Sequence, residues 1–348
     1  MATQKAVVVI APERAGLVSD RPLPTLRDDY ILVKTEAVAL NPTDWKHIAF
    51  LAAPGCLVGC DYAGVVQEVG KAVQKPFRRG DRIAGVAHGG NVVQHEDGAF
   101  AEYIVVKGDV QMHIPETLSF QEAAALGVGI VTVGQGLYQS LKLALPTAPR
   151  ETPEPLLIYG GSTATGTLAI QFAKLSGYRV LTTCSPHNFG LVQGLGADAV
   201  YDYHDPTSAA AIRAATGDRL QLVFDTIAIE DSAKYCDTAI STQGGEYSAL
   251  LPVSVERENV NSRWTVGYTI MGEDFMFGPD FWAARPEDKA FAEEFWTIAE
   301  PLLAAGIIKP HPIEVKPGGL QGVLDGLQLL QADKVSGKKL VYNISETP

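Results

Sequence analysis

The stretch with the clearest chemical meaning is Tyr159-Gly160-Gly161-Ser162-Thr163-Ala164-Thr165-Gly166. It follows a short apolar run, Leu156-Leu157-Ile158-Tyr159, and opens a segment with helical spacing from Thr165 to Ser176 that stops at Gly177. Strand, glycine turn and helix, in that order, present backbone N–H groups at a helix N-terminus, which is where a pyrophosphate binds. The glycines depart from Gly-x-Gly-x-x-Gly, so the reading rests on the surrounding elements, and a plain tight turn is the alternative. Gly161 and Gly166 have the glycine spacing of a triphosphate-binding loop, but Thr167 stands where that loop requires lysine. Triphosphates are thereby removed, and a dinucleotide remains.

The end of the next strand-like run, Arg179 to Thr183, refines the ligand. Units that bind NAD carry Asp or Glu about 20 residues beyond the glycines, where it holds the ribose hydroxyls. Here the chain reads Thr183-Cys184-Ser185-Pro186-His187-Asn188, without an acid. A carboxylate would repel a 2′-phosphate, whereas Ser185, His187 and Asn188 can donate hydrogen bonds to one. The expected cofactor is NADPH, with Ser162, Thr163, Ala164 and Thr165 at the glycine turn and Ser185, Pro186, His187 and Asn188 at the corner. The same corner residues would also open the next helix, with Ser185 as its cap. No metal site is expected. Cys56, Cys60, Cys184 and Cys236 form no Cys-x-x-Cys pair, and His88, His95 and His113 lack ligand spacing and read as solvated loop histidines.

These residues need two kinds of scaffold. Up to about residue 115 the chain is β-rich, with runs at Lys5–Ile10, Tyr30–Leu40, Gly64–Val69, Asp81–Val86 and Ala101–Val106, punctuated by Gly and Pro. Ser119 and Glu122 have capping-box spacing, and a helix is expected from Ile130 to Leu143. The proline-rich stretch from Pro146 to Pro155 reads as a surface loop. From Pro155, strands alternate with helices (Phe189–Leu195, Ala199–Tyr203, Ala209–Thr216, Leu220–Asp225), which implies a doubly wound parallel sheet. Glu287 to Ala305 reads as an amphipathic helix, and Lys338–Ile344 as a last strand that rejoins the β-rich part.

Composition bounds the function class. The 348 residues exceed what one hydrophobic core usually supports. A net charge of -12 disfavours nucleic acid. The longest apolar stretches fall short of a membrane span, and no leader peptide is recognised at the start. A reducing, cytoplasmic setting fits the cysteine usage.

Several motifs occur in a fixed order: Ala39-Leu40-Asn41-Pro42-Thr43-Asp44, Gly59-Cys60-Asp61-Tyr62-Ala63-Gly64, Gly80-Asp81-Arg82-Ile83, and Gly98-Ala99-Phe100-Ala101-Glu102-Tyr103. Together they resemble the medium-chain dehydrogenase/reductase superfamily along nearly the whole chain. The implied fold is α/β: a GroES-like β-rich catalytic domain over 1–127 and 286–348, and a Rossmann nucleotide domain with a doubly wound parallel sheet over 128–285. Within that superfamily, four stretches are similar to the stand-alone, trans-acting enoyl reductases of fungal polyketide synthases. They are Asn41-Pro42-Thr43-Asp44-Trp45-Lys46, Gly160 to Thr165, Thr183 to Phe189, and Arg263-Trp264-Thr265-Val266-Gly267-Tyr268-Thr269-Ile270. The zinc alcohol dehydrogenases place His-Glu where this chain has Cys60-Asp61, and a cysteine near Asn41–Asp44. The resemblance is therefore to zinc-independent members.

The resemblance carries site roles with it. It implies that Thr43, Asp44, Trp45 and Lys46 lie beside the nicotinamide half of the cofactor, with Lys46 assisting catalysis; an exposed surface lysine is the competing reading. It implies a substrate channel along Gly129-Ile130-Val131-Thr132-Val133-Gly134-Gln135-Gly136, with the Thr132 hydroxyl on a carbonyl; close helix packing through small residues is the alternative. Thr269, Ile270, Met271, Gly272 and Glu273 resemble a substrate-facing segment. Tyr203 resembles the residue beside the 2′-phosphate, and Leu250, Leu251, Val335 and Ser336 match positions near the nicotinamide, although generic core explains these equally.

The implied function is hydride transfer from NADPH to the β-carbon of an α,β-unsaturated acyl thioester carried by a polyketide synthase or a synthase–peptide synthetase hybrid. A quinone or alkenal reductase and a non-catalytic synthase partner are the alternatives. A monomer is compatible with the sequence, which leaves assembly open. The run Lys71, Lys75, Arg78, Arg79, Arg82 reads as a solvated turn before it reads as a docking face.

Overall fold

Apolar runs bounded by glycine or proline become the strands of a parallel sheet in one of two compact units. The computed structural model describes residues 2–348 and separates Gly129–Gly267 from a second unit made of Met1–Val128 and Tyr268–Pro348. The nucleotide unit holds six parallel strands in the spatial order Ala199–Tyr201, Arg179–Thr183, Pro155–Tyr159, Leu222–Asp225, Gly245–Ala249, Val260–Trp264. The first strand in sequence, Pro155–Tyr159, thus has the second on one side and the fourth on the other. The chain reverses its direction of strand addition there, and ligands bind open α/β sheets at such a switch point. Helix Ala164–Leu175 packs on the sheet through Leu168, Ala169, Ile170, Phe172 and Ala173, all fully buried. Leu157, Leu181, Val223, Tyr247 and Ile212 sit in a core of the same unit.

The helix expected from Ile130 to Leu143 is two elements. Gly127–Val133 is α-helical, and Gly134–Ser140 continues as a π-helix, seen in the Leu141 N–H bonding five residues back to the Gly136 carbonyl at 3.1 Å. Two contacts hold the wide turn. Gly136 lies so close to Phe224 that a Cβ would be 2.3 Å from its ring. At the far end, the Arg263 guanidinium donates to the Ser140 carbonyl at 2.8 Å while pairing with Glu246 at 2.6 Å.

The other unit is built on a seven-stranded sheet. Ile313–Lys316, Lys339–Asn343, Tyr30–Ala39, Asp61–Val69, Arg82–Val86 and Gln111–His113 neighbour one another in that order, and Tyr103–Lys107 also pairs with Tyr30–Ala39. Only the Ile313–Lys316 pairing is parallel. The late strand Lys339–Asn343 rejoins the β-rich part, pairing Val341 with Ala39. Its core runs through Val7, Ile31, Val33, Tyr62, Ile83, Phe100 and Ile104. The Ser119 capping box forms, opening helix Phe120–Ala124, and Pro286–Ala304 is the long helix expected near the end.

The boundaries differ from the expected 127/128 and 285/286. The first falls one residue later, at Val128. The second falls earlier, so residues 268–285 belong to the β-rich unit. The cause is bonding to the β-rich unit: Tyr268 packs on His88, Glu273 binds Tyr30 and Lys107, and Phe275–Phe277 pairs with Asp280–Trp282 as a hairpin.

Candidate functional site

Each glycine of the turn has a separate reason to be glycine. Gly160 has φ +79°, a left-handed conformation that side chains rarely adopt. A Cβ on Gly161 would lie 2.0 Å from Thr182 Oγ1, and one on Gly166 would lie 2.3 Å from the Gly160 carbonyl oxygen. The strand-to-helix step is therefore as tight as the chain allows. Thr163 caps helix Ala164–Leu175, its hydroxyl accepting from the Gly166 N–H at 2.9 Å. Ser162, Thr163, Ala164 and Thr165 are half-buried at this end of the helix, whose first-turn N–H groups have no intrahelical acceptors.

Sequence reading missed the support beneath the turn. Thr226, just past strand Leu222–Asp225, has its hydroxyl 2.8 Å from the Tyr159 carbonyl, 3.0 Å from the Gly160 carbonyl and 3.0 Å from Thr163 Oγ1. Asp225 is fully buried and shapes that loop, accepting from the N–H groups of Ile227 and Ala228, each at 2.9 Å, and from the Ser232 and Tyr247 hydroxyls at 2.6 and 2.7 Å. An Asp-Thr pair closing the strand next to the switch point was the available clue.

At the corner, Ser185 is half-buried, Pro186 and His187 are exposed, and Asn188 is buried. The structure brings Tyr203 to Ser185, hydroxyl to hydroxyl at 3.3 Å. It also brings an acid: Asp202, following strand Ala199–Tyr201, sits close enough that burial and its charge push the Cys184 thiol up to about 11. Its carboxylate is engaged by the His204 ring at 2.9 Å and the His204 N–H at 3.0 Å. The acid lies on the neighbouring strand's end, so spacing from the glycines did not reveal it. Leu250 and Leu251 are half-buried against the core of this unit.

Of residues 129–136, Thr132 is half-buried and the other seven are buried. A Cβ on Gly129 would come 2.6 Å from Leu168 Cδ1, so Gly129 and Gly136 serve close packing, the alternative weighed for this stretch. Thr132 is the polar side chain of the run left with partial access.

In the β-rich unit, Asn41 caps helix Pro42–Phe50, and the Asp44 carboxylate accepts the Asn41 N–H at 2.7 Å. Asp44 is 1% exposed; burial pushes its carboxyl up to about 7. It is thus spent inside the fold, whereas its neighbours Thr43, Trp45 and Lys46 are half-buried. Lys46 forms no ion pair among the described residues. Burial lowers its pKa, Asp333 opposes that, and its ammonium lies 5.7 Å from the Trp45 ring. Trp45 and Val335 pack on the rim of the same core, and Ser336, next to Val335 in sequence, is exposed.

Beneath Thr43 lies a cluster that sequence reading did not assemble. The Thr43 hydroxyl is 2.8 Å from the Tyr268 hydroxyl and 3.2 Å from His47 Nδ1. Tyr268 stacks on His88, with ring centroids 4.0 Å apart, and its hydroxyl is 3.5 Å from Cys60 Sγ. His88 is therefore no solvated loop residue: it is 6% exposed, and burial, with His47 nearby, holds its pKa well below the usual value. His95 is exposed, and His113 pairs with Asp81. Thr269, Ile270 and Met271 are buried. Gly272 turns the chain with φ +63°, and Glu273 takes the Tyr30 hydroxyl and Lys107 ammonium, each at 2.7 Å.

Asp61, Lys339 and Asn41 tie these elements together. The Lys339 ammonium bonds Asp61 Oδ2 at 2.5 Å and Asn41 Oδ1 at 2.7 Å; Asn41 Nδ2 donates to Asp61 Oδ2 at 2.9 Å. The other Asp61 oxygen accepts the Val128 N–H at 2.7 Å, fixing the start of helix Gly127–Val133. Among the described residues, no group of three or more His, Cys, Asp or Glu side chains is arranged to hold a metal ion, and no helix is long and apolar enough to cross a membrane.

Comparison with known proteins fits this geometry. The alcohol dehydrogenase GroES-like domain profile matches residues 27–116, and the zinc-binding dehydrogenase profile matches 164–247. The chain is 69% identical to trans-enoyl reductase TOXD of Cochliobolus carbonum over 275 residues, covering 79% of this chain and 93% of that one. It is 49% identical to trans-enoyl reductase resD of Aspergillus sclerotiorum, covering 98% of this chain and 100% of the relative. Among solved structures, the quinone oxidoreductase of Coxiella burnetii superposes with a TM-score of 0.74 at 22% identity, covering 98% of this chain and 99% of that one. The CurK enoyl reductase does so with 0.75 at 18%, covering 98% of each; at those identities the likeness concerns the fold. With the glycine turn at the switch point of a nicotinamide-dinucleotide fold, and 49% identity to a named relative over nearly the whole length of both, the chain belongs to the trans-enoyl reductases of the medium-chain dehydrogenase/reductase superfamily.

Proposed function

We propose that this protein is an NADPH-dependent enoyl reductase that acts in trans on an α,β-unsaturated acyl thioester carried by a polyketide synthase or a synthase–peptide synthetase hybrid, in the cytoplasm. The carrying observation is the glycine turn, seated at the switch point of the parallel sheet in a chain related over nearly its whole length to trans-enoyl reductases. The residues present fit a dinucleotide. Three glycines leave no side chain over the strand-to-helix step, and the half-buried Ser162–Thr165 segment sits at a capped helix N-terminus. Ser185, His187 and Tyr203 offer donors at the corner, and the nearby Asp202 carboxylate is engaged by His204, which supports a 2′-phosphate there.

A bound nicotinamide supplies hydride to the β-carbon of the enoyl chain. The chain's own task is to orient the reactants and stabilise negative charge on the thioester oxygen. Lys46 suits that task, being half-buried and in no ion pair among the described residues, with Asp333 as the charge that acts on it. Thr43 and Thr132 supply half-buried hydroxyls. Within the nucleotide unit Leu250 and Leu251 offer half-buried apolar surface, and within the β-rich unit Val335 does so and Trp45 adds a flat face.

The test is NADPH oxidation followed at 340 nm with a crotonyl or longer enoyl thioester, alongside simple quinones and with NADH as alternative donor. Turnover of thioesters with NADPH is expected. Turnover of quinones alone would replace this reading with a quinone reductase. Equal dissociation constants for NADPH and NADH would overturn the assignment of Ser185–Asn188 and Tyr203.

A further inference from the structure

The cluster around Thr43 carries more than packing. His47 Nδ1 lies 2.9 Å from the Thr43 backbone carbonyl. A carbonyl only accepts, so Nδ1 carries the ring hydrogen. It therefore cannot accept from the Thr43 hydroxyl. That leaves two uses for the Thr43 hydrogen: donation to the Tyr268 oxygen, or donation away from the protein.

Tyr268 decides between them. Its phenol hydrogen can go to Thr43 Oγ1 at 2.8 Å or to Cys60 Sγ at 3.5 Å. The first is an optimal O–H···O distance, and sulfur is a weak acceptor. The Thr43–Tyr268 contact is made with either oxygen as donor, but the reverse direction leaves the phenol hydrogen to the weak sulfur acceptor; with a reactant bound, both hydrogens find oxygen acceptors only when the phenol donates to Thr43. Tyr268 is itself immobilised by its stack on His88 and by an edge contact with the His47 ring. Burial and the neighbouring Cys60 hold the phenol well above its usual pKa, so it stays a donor at all working pH values.

We infer that Tyr268 is a positioning residue for the reduction: by donating to Thr43 Oγ1 it commits the Thr43 hydrogen to an acceptor oxygen of the bound reactants. This rests on the enoyl reductase reading above. The acceptor is a hydroxyl oxygen of the nicotinamide ribose or the carbonyl oxygen of the enoyl thioester, which share the same hydrogen-bond chemistry.

The experiment is a double-mutant cycle on the full-length protein, with crotonyl thioester and NADPH as probes. Tyr268→Phe keeps the ring and its stack and removes only the hydroxyl. It is expected to lower kcat/KM about tenfold, with melting temperature nearly unchanged. Thr43→Val is expected to cost at least as much, and Thr43→Ser to restore most of the loss. Adding Tyr268→Phe to Thr43→Val is expected to cost nothing further, because Tyr268 acts only through that hydroxyl. A tenfold rise in the NADPH dissociation constant of Tyr268→Phe would identify the ribose as the acceptor; unchanged binding with reduced kcat would identify the thioester carbonyl. Full activity in Tyr268→Phe, or additive losses in the double variant, overturns the inference. Should Tyr268→Phe fail to fold, 3-fluorotyrosine at position 268, an isosteric and stronger donor, is expected to shift kcat/KM at least twofold; an unchanged value overturns the inference. A wild type inactive on thioesters would instead overturn the enzymatic reading itself.

Discussion

Replacing Asp61 by asparagine should destabilise the protein far more than replacing its partner Lys339 by methionine, and the two changes together should cost less than their sum. The Asp61 and Lys339 side chains are 0% and 3% exposed. In Asp61→Asn the ammonium remains buried without a counter-charge, and the single amide oxygen of the new side chain cannot serve both the Lys339 ammonium and the Val128 N–H, as the two carboxylate oxygens do. Leaving a buried charge unpaired costs about 3–5 kcal/mol. In Lys339→Met the carboxylate keeps two donors, Asn41 Nδ2 and the Val128 N–H, so the loss should be nearer 2 kcal/mol, the scale of a hydrogen bond to a charged group. In the double variant neither charge is stranded, and the coupling should be at least about 1.5 kcal/mol. Urea unfolding followed by tryptophan fluorescence and by circular dichroism gives all three values. For a unit of this size each kcal/mol moves the melting temperature by roughly 2–4 °C, so Asp61→Asn should melt on the order of 10 °C early. If the single losses simply add, or if Lys339→Met is the worse variant, the assignment of this network as one charge-balanced unit is refuted.

Three further outcomes are expected. Lys46→Ala should lower kcat at least tenfold while circular dichroism and melting temperature stay near wild type; wild-type steady-state rates would remove Lys46 from the mechanism. Asp44, whose carboxyl is pushed up to about 7 by burial, holds a proton in the folded state that it has lost in the unfolded state between about pH 4 and 7. Stability should therefore fall as pH rises through that window, by up to about 1.4 kcal/mol per unit; Asp44→Asn, which keeps an acceptor for the Asn41 N–H, should flatten that slope in urea titrations, and an unaltered slope would contradict it. Gly161→Ala should weaken NADPH binding at least tenfold and cost about 1–3 kcal/mol. The added methyl would meet the Thr182 hydroxyl, which is bonded to the Ile158 carbonyl at 2.6 Å; tight binding measured by fluorescence quenching would count against the turn as the cofactor seat.

Local pattern made the nucleotide sheet readable in part. Leu156–Tyr159 is apolar and ends at Gly160, as buried parallel strands do, and Arg179–Thr183 opens just after Gly177 around the apolar and β-branched residues Val180, Leu181, Thr182 and Thr183. Strands Gly245–Ala249 and Val260–Trp264 escaped because Glu246, Ser248, Asn261, Ser262 and Arg263 break that composition. They are strands because the growing sheet edge supplies their hydrogen bonds. The glycine turn was legible because strained φ and close approach demand glycine itself. The cluster of Thr43, His47, Cys60, His88 and Tyr268 was not, since it gathers residues from four separate stretches of chain. Tyr268 stood inside a recognised string, yet nothing local distinguishes a phenol that stacks on a distant histidine from one that fills core. The domain boundary moved for the same reason: what draws residues 268–285 to the β-rich unit is Tyr30, Lys107 and His88, all far away in sequence.

The π-helical run Gly134–Ser140 sets an azimuth. An α-helix advances about 100° per residue, and the wider turn holds a residue that an α-helical path between the same ends would not need. Downstream, Tyr138 is pinned by the Ser176 hydroxyl at 2.9 Å; upstream stands Thr132, the half-buried polar side chain of its run. Shortening the run by one residue would let the backbone relax to α-helix while turning the upstream face by about 100° around its own axis. Chain length at this single place thus sets the angle about the helix axis between Thr132 upstream and Tyr138 downstream.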